Sequence, residues 1–288
     1  MIKPELEEEW DIEIGAKSSL FDLKLRDVWH YRDLLLLLVR RDFVAFYKQT
    51  ILGPIWFFIQ PIITIYTYTF VFANIAKIST DGVPAPLFYL GGAIIWNYFS
   101  DCLTKTSTVF RDNAAMLGKV YFPRLIMPLS IVLSNLVKFM VQLILFVVLY
   151  VFFSARGYNI HINQYAFLFP LLVLMIAAQG LGLGMMISAI TTKYRDLSFV
   201  VSFGVPLIMY ATPVIYPLSV VIKKYPAYSW VIRYNPITAV IETFRYGFLG
   251  KGSFSFELLG YSLVVTLFIL LAGTVIFNRV ERKFVDTV

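Results

Sequence analysis

The sequence predicts an all-α integral membrane protein with six transmembrane helices and both termini in the cytoplasm. Of its 288 residues, 59% are apolar and only 15% are charged, and the mean hydropathy is +0.73. A soluble domain of this length needs roughly 25% charged residues to cover its surface. Much of this surface is therefore expected to face lipid, which excludes an ordinary soluble enzyme.

Six apolar stretches are each long enough to cross a hydrocarbon core, which takes about 20 helical residues. The predicted spans are 55–75, 87–107, 128–153, 165–190, 198–217 and 256–277. An even number of spans puts both termini on one side, and most of the 25 Lys and Arg residues fall in segments on that side. Because basic loops stay in the cytoplasm, this side is predicted to be cytoplasmic. The net charge of +7 is interpreted in the same way, and no nucleic-acid partner is expected.

The chain divides into an N-terminal arm, 1–50, and a transmembrane domain, 51–288. The arm carries six acidic residues among its first thirteen, which does not match a secretory signal, so none is expected. From Arg32 to Thr50 its charges cluster broadly on one side of a helical wheel, as in a helix that lies in the cytoplasmic interface. The alternative is an ordinary buried helix of the arm.

The connection between the second and third spans is predicted to carry a short helix that faces the cytosol. Asp112 and Asn113 are candidate N-caps, and Gly118 is a candidate stop signal. The helix comprises Arg111, Asp112, Asn113, Ala114, Ala115, Met116, Leu117 and Gly118. Because a helix of about two turns is marginal alone, a partner or a neighbouring surface is expected to hold it. The alternative is a loop helix without a partner.

A further helix is predicted on the outer side, before the last span. Asn235 and Pro236 match an N-cap and a first helical residue, and apolar residues such as Phe244 then recur at helical spacing up to Leu249. At about 14 residues this segment is too short to span, so an external re-entrant or interface-lying helix is predicted. Its polar side carries Glu242 and Arg245. The alternative to a functional role for these two residues is a local ion pair.

Polar and aromatic side chains form stripes on three of the predicted spans. Polar groups are costly inside a membrane, and a wall of rings, hydroxyls and amides suits a path for sugars, which stack on rings and exchange hydrogen bonds with polar groups. The candidate wall residues are Trp56, Gln60, Thr64, Trp96, Asn97, Phe203 and Tyr210. The alternative for each is helix packing, with hydroxyls bonded to their own helix.

Two charged residues lie inside predicted spans and are expected to have partners. An unpaired charge at that depth costs roughly 2.5–3.5 kcal/mol. Asp101 has two candidate partners, Lys105 at i+4 on its own helix and Lys138 on the next helix. The sequence leaves both pairings open.

The sequence offers no residue set for catalysis, for a metal or for a cofactor. Cys102 is the single cysteine, and the two histidines, His30 and His161, match no metal-ligand spacing. No GxxxxGK[ST] loop is present to bind nucleotide phosphates. The chain is expected to bind no cofactor itself, and if transport is driven by ATP, the ATPase must be another polypeptide.

Five ordered segments resemble the membrane subunits of type-2 ABC exporters for cell-surface polysaccharides. The resemblance is closest to O-antigen permeases, with teichoic-acid and capsule exporters as relatives. The segments are YRDLLLLLVRRDFVAFYKQTILGPIWFFIQPIIT, KVYFPRLIMPLS, TTKYRDLSFV, TPVIYP and YNPITAVIETFRYGFLG. The resemblance covers most of the chain.

The resemblance implies a permease and not an enzyme. It implies a homodimer in the bacterial inner membrane with two copies of an ABC ATPase subunit, which binds ATP and Mg, and a polyprenyl-linked polysaccharide as the substrate. It also implies that 111–118 couples to the ATPase and that the helix from Pro236 is an external gate. An exporter of lipids or drugs and an integral-membrane transferase are the alternatives, although a transferase needs a converging acid and base that the scattered Asp and Glu do not offer.

Overall fold

The computed structural model describes residues 25–48, 50–117, 122–194 and 196–285, and the described residues form helices without strands. The first 24 residues of the predicted arm and Gly118 lie outside the described residues. The helices are α1 (Leu25–His30), α2 (Arg32–Tyr47), α3 (Trp56–Tyr68), α4 (Ala85–Ser107), α5 (Val109–Asp112), α6 (Ala114–Leu117), α7 (Ile126–Ala155), α8 (Phe169–Thr191), α9 (Leu197–Tyr210), α10 (Leu218–Lys224), α11 (Ser229–Arg233), α12 (Pro236–Leu249) and α13 (Phe256–Val285). Short 3-10 helices, Gly53–Ile55 and Gln164–Leu168, precede α3 and α8, and a π-helix, Thr69–Ile75, follows α3.

Four helices in the described ranges are long and apolar enough to cross a membrane. They are Gly53–Ile75, Ile126–Ala155, Gln164–Thr191 and Phe256–Val280. These helices confirm the positions of the first, third, fourth and sixth predicted spans as long apolar helices. The second predicted span is also helical, since α4 comprises 23 residues, about 34 Å at 1.5 Å per residue, but it is less apolar than the other four. A crossing by α4 stays a prediction.

The fifth predicted span is wrong at its end, because α9 stops at Tyr210 and not at Pro217. Pro213 lacks an amide hydrogen and disfavours helical backbone at Thr212, whose hydroxyl donates back to the carbonyl oxygen of Ile208 over 2.9 Å. The 14 residues of α9 extend about 21 Å, which is short of a ~30 Å core. A crossing here stays a prediction that needs the non-helical segment after α9 to complete it.

The core is built around α4, which packs on α3, α7, α8, α9 and α12. The closest approach is to α8, where two glycines remove the side chains that would separate the helices. A Cβ atom on Gly180 would lie 2.8 Å from Cβ of Cys102, and one on Gly184 would lie 2.6 Å from Cβ of Thr106. On another side of α8, Gly182 meets the backbone of α13 at Ile269. Small residues therefore let α8 sit between α4 and α13 at close range.

The predicted arm helix is confirmed in part. α2 begins at Arg32 as predicted but ends at Tyr47 and not at Thr50, and it packs on α7. Leu38 is buried, whereas Leu36 and Leu37 are exposed. The location of α2 in the membrane interface stays a prediction.

The helix predicted before the last span is confirmed at both ends. The Asn235 side chain accepts a hydrogen bond from the amide of Ile237 over 3.0 Å, and Pro236 is the first residue of α12. Gly250 ends the helix with φ of +66°, a backbone conformation that glycine adopts at no steric cost. Most of α12 is buried against α4, α8 and α13, so its apolar face contacts protein.

Candidate functional site

The first predicted wall stripe lies on an exposed face of α3. Trp56, Gln60 and Thr64, together with Ile63, line an open groove, and all four residues belong to α3. The hydroxyl of Thr64 donates to the carbonyl oxygen of Gln60 over 3.0 Å, as the packing alternative expects. The ring and the amide therefore contribute most of the chemistry that this groove presents.

The aromatic residues of the other stripes separate into two groups. Phe203 and Tyr210 on α9 are 60% and 57% exposed, so both rings are available to a partner or a path. Trp96 is only 4% exposed, and its ring packs against Phe99 in the core with centroids 5.4 Å apart. The burial of Trp96 does not support the prediction that this residue lines a path: α4 turns the side chain into the core, because residues 87–96 are all buried.

The C-terminal half of α4 has one uncovered face, and this face is polar. Asn97 lies on it as predicted, half-buried, and the other members share its helical spacing of three and four residues. The members of this polar face are Asn97, Ser100, Asp101, Thr104, Lys105 and Thr108. Their neighbours on the helix, including Phe99, Cys102 and Leu103, are buried. The sequence analysis did not single out Ser100, and it considered Lys105 only as a partner of Asp101. The spacing of three and four residues from Asn97 and Asp101 could have identified both as members of this face.

Charged residues on this face are tied to α7. Nζ of Lys138 donates to Oδ2 of Asp101 over 2.7 Å, which decides between the two pairings that the sequence left open. Lys105 instead donates to Oδ1 of the buried Asn135 over 2.9 Å. Each lysine thus bridges α4 and α7, and a charge that would be costly alone has a partner.

The predicted cytosolic helix is split into two single turns, α5 and α6. The side chains of Asp112 and Asn113 do not act as the predicted caps. Asp112 accepts from Thr108 and pairs with Arg111, whereas the amide of Asn113 donates back to the carbonyl oxygen of Val109 over 3.0 Å. A side chain that bonds backward competes with helix continuation, which explains the break at Asn113.

The split segment is nevertheless held by the helices around it. The ring of Phe110 stacks on Phe277 of α13 with centroids 4.6 Å apart, and the guanidinium of Arg111 donates to the hydroxyl of Ser198 on α9 over 3.3 Å. Ala114 and Ala115 are exposed, and Met116 packs partly against the core. Ala114 and Ala115 are therefore exposed on a segment that contacts with α9 and α13 hold in place.

Arg245 is the most deeply placed charge of α12, at 1% exposure. Its guanidinium donates to the carbonyl oxygens of Pro213 and Val214 over 2.6 and 2.7 Å, and it lies 3.7 Å from the ring centroid of Phe88. The predicted ion pair with Glu242 is present at 3.4 Å between Nη1 and Oε1. The pair is therefore a buried junction and not an exposed polar side of the helix.

Glu242 extends this junction to the segment that leads into α13. Its Oε2 atom accepts from the amide and the hydroxyl of Ser253 over 2.9 and 3.2 Å. Gly92 of α4 packs directly against the guanidinium, since a Cβ atom there would lie 2.7 Å from Nη2 of Arg245. One ion pair thus joins α12 to α4, to the segment after α9 and to the segment before α13.

The sequence is similar to those of membrane transport proteins. The sequence profile of the ABC-2 type transporter family matches residues 33–249. The O-antigen export system permease protein RfbA of Myxococcus xanthus is 29% identical over 265 residues, which are 92% of this chain and 98% of that relative. Two proteins of the same name from Klebsiella pneumoniae are 26% and 25% identical over 254 residues, 88% of this chain and 94% of each relative. The profile match runs from α2 to the end of α12 and contains every predicted wall, coupling and gate residue.

Proposed function

Because the chain belongs to the ABC-2 type transporter family, we propose that it is the membrane subunit of an ATP-driven exporter of a lipid-linked polysaccharide. In this proposal two copies of the chain form a homodimer in the bacterial inner membrane. Two copies of a separate ABC ATPase subunit bind ATP and Mg on the cytoplasmic side. The cargo is an O-antigen-like glycan on a polyprenyl carrier, and it moves from the cytoplasm across the membrane.

The observation that carries this proposal is the extent of the similarity to O-antigen export permeases. The most extensive match reported above spans 92% of this chain and 98% of the relative, so it is not confined to one motif. Family membership makes the chain a multi-pass transporter subunit. Since the sequence contains no GxxxxGK[ST] loop, the nucleotide is assigned to a partner.

The wall of the path is assigned to the exposed stripes of α3, α4 and α9. A polymer must slide, so its wall needs many weak contacts and no tight site. Exposed rings and neutral polar groups supply such contacts, and Trp56, Gln60, Asn97, Phe203 and Tyr210 offer them. Thr64 lies in the same groove as Trp56.

The outer end of the path is assigned to α12. This helix is apolar, too short to span and fixed at both ends, which suits a closure that turns back into the membrane. The Glu242–Arg245 junction ties it to three other segments, so closure by α12 involves the segment after α9 as well.

The coupling surface is assigned to α5 and α6. Ala114 and Ala115 are exposed, and the stack of Phe110 on Phe277 supports the segment from behind. A push by the ATPase on this segment would reach α13 through that stack and α9 through the bond from Arg111 to Ser198.

Removal of the chain from its host tests the proposal. The expected result is accumulation of a lipid-linked glycan in the cytoplasm and its loss from the cell surface, with both reversed when the chain is supplied again. A host that shows no glycan accumulation and an unchanged surface polysaccharide contradicts the proposed function.

A further inference from the structure

The polar face of α4 is unusual for a helix that is predicted to cross a membrane. Its six members are half-buried or exposed, whereas the residues between them are buried in the core. Five of the six lie in the C-terminal half of α4, and Thr108 directly follows its last residue. Asp101, Lys105 and Thr108 have partners within the chain. Because a polar group that faces lipid is costly, the remaining hydrogen-bonding capacity of this face calls for water or a further polar partner.

Together with Lys138 of α7, this face carries a net positive charge. Lys105 and Lys138 contribute two charges, and Asp101 cancels one of them through its 2.7 Å bond to Lys138. At the inner end, Asp112 accepts from Thr108 but is paired with Arg111 at 3.0 Å, so that pair adds no net charge. One positive charge therefore remains on a polar face whose charged and amide groups are held between two helices.

The donors on this face are only partly used. Lys105 is exposed, and its ammonium group, which has three N–H donors, makes one bond to Asn135. Ser100 and Thr104 place hydroxyl groups on the same face. An ammonium group with neighbouring hydroxyls is the donor set that binds phosphate oxygens through charge-assisted hydrogen bonds.

The position of the charged residues along α4 also matters. Lys105 and Asp101 lie two and six residues before the end of α4, about 3 and 9 Å along the helix axis. In the predicted topology this end of α4 faces the cytoplasm, so both residues would lie on the side of the membrane where a lipid of the inner leaflet carries its phosphate. A neutral sugar, by contrast, would leave the positive charge without a counterpart.

We propose that the polar face of α4 is an anion subsite for the phosphate or diphosphate ester that joins a lipid carrier to its glycan. This inference rests on the proposed function and deepens it. Asp101 holds Lys138 in place and lowers the charge of the site, so that the ester is bound weakly enough to leave. Lys105 makes the direct contact with the ester.

Protection of an introduced cysteine tests the subsite. The complete transporter with its ATPase subunits, carrying Cys102→Ser and Thr104→Cys, is placed in phosphatidylcholine nanodiscs and treated with a charged thiol reagent. Geranylgeranyl diphosphate is expected to slow the labelling of residue 104, while geranylgeraniol and phosphatidylglycerol have no effect. With Lys105→Gln, the half-protecting concentration of the diphosphate is expected to rise about tenfold, which corresponds to about 1.4 kcal/mol.

Lys193→Gln is the matched control, because Lys193 is an exposed lysine at the inner end of α8 and lies off the polar face. It is expected to leave protection unchanged. The proposal is overturned if residue 104 is not labelled in the absence of a ligand, if Lys105→Gln protects as well as the parent, or if the alcohol or phosphatidylglycerol protects equally. The glycan assay in cells distinguishes failure of the subsite from failure of the proposed function. If the glycan accumulates when the chain is removed but the diphosphate does not protect residue 104, only the subsite is overturned. If no glycan accumulates, the proposed function is overturned.

Discussion

Nη2 of Arg245 on α12 donates to the carbonyl oxygen of Val214 over 2.7 Å, although the two residues are 31 positions apart in the chain. The bond satisfies a carbonyl group in a segment that forms no helix, and it holds a guanidinium that is almost wholly buried. Charge-assisted hydrogen bonds of this kind are about twice as strong as neutral ones. The buried polar junction thus fixes the position of the largely apolar helix α12.

Removal of the Arg245 charge is expected to destabilise the protein strongly. Arg245→Gln leaves the buried Glu242 carboxylate without its cation and two carbonyl groups without a charged donor, at a cost of about 3–5 kcal/mol. Thermal unfolding of the purified chain, followed by tryptophan fluorescence, measures the loss. Arg233→Gln, at an exposed position on α11, is the control and should unfold like the parent. Equal unfolding temperatures for the two variants would contradict a stabilising role of Arg245 in the junction.

A methyl group on Gly92 is expected to disturb the same junction from the side of α4. It would lie 2.7 Å from Nη2 of Arg245 and 2.8 Å from the carbonyl oxygen of Val214. Because neither group can move without breaking a bond, Gly92→Ala should cost about 1–3 kcal/mol in unfolding free energy. Gly204→Ala on α9 is the control, since nothing lies within 4 Å of its Cβ position. A neutral Gly92→Ala would show that the junction tolerates displacement.

The pair between Asp101 and Lys138 is expected to be energetically coupled. A double-mutant cycle with Asp101→Asn and Lys138→Met should give a coupling energy of about 1–3 kcal/mol, because the pair is partly buried between α4 and α7. The pair of Arg41 and Asp42 is adjacent in sequence and more exposed, so its cycle with Arg41→Gln and Asp42→Asn should give less than about 1 kcal/mol. Additive effects at Asp101 and Lys138 would contradict the pairing.

A charge on α6 is expected to separate the chain from the proposed ATPase partner. Ala115→Asp places a carboxylate on the proposed coupling surface, where burial against the partner would leave it unpaired. Co-purification of the ATPase and its stimulation by the chain should both fall at least tenfold. Ala76→Asp, an exposed alanine at the end of the π-helix after α3, should retain both. Full co-purification with Ala115→Asp would place the interface elsewhere.

Cysteine labelling distinguishes the proposed wall from the lipid surface. In a Cys102→Ser background, Gln60→Cys and Phe203→Cys should react with a charged thiol reagent during turnover. Val148→Cys on α7 and Phe268→Cys on α13 lie on exposed apolar surface and should not react. Trp96→Cys should also stay unlabelled, because that position is in the core. Equal labelling of the wall positions and of the exposed positions on α7 and α13 would contradict the assignment of the stripes to the path.

Much of the fold could be predicted because lipid imposes a simple rule on sequence. Long apolar runs gave the correct positions for four long helices, and the Asn-Pro start and glycine end of α12 are local signals that no tertiary contact overrides. The end of α9 was missed because hydropathy stays high beyond Tyr210, and only the backbone constraint of Pro213 ends the helix.

The site was harder to predict, because it depends on which face of each helix is covered. Trp96 and Asn97 are adjacent in sequence, yet one is buried and the other half-exposed. The partner of Asp101 depends on the position of α7 and not on the spacing along α4. The depth of Arg245 depends on segments far away in the chain, so no local pattern could reveal it.

The glycine contacts of α8 distinguish a group of closely packed helices, α4, α8 and α13, from the proline-containing helices α3 and α9. With Gly180 and Gly184 against α4 and Gly182 against α13, the three helices approach so closely at these glycines that a Cβ atom would not fit, which restricts sliding of one helix past another. α3 and α9 each contain an internal proline, at Pro61 and Pro206, and carry large exposed apolar surfaces. Under the proposed function, opening and closing is therefore expected to bend α3 and α9 at their prolines more than it displaces α4, α8 and α13.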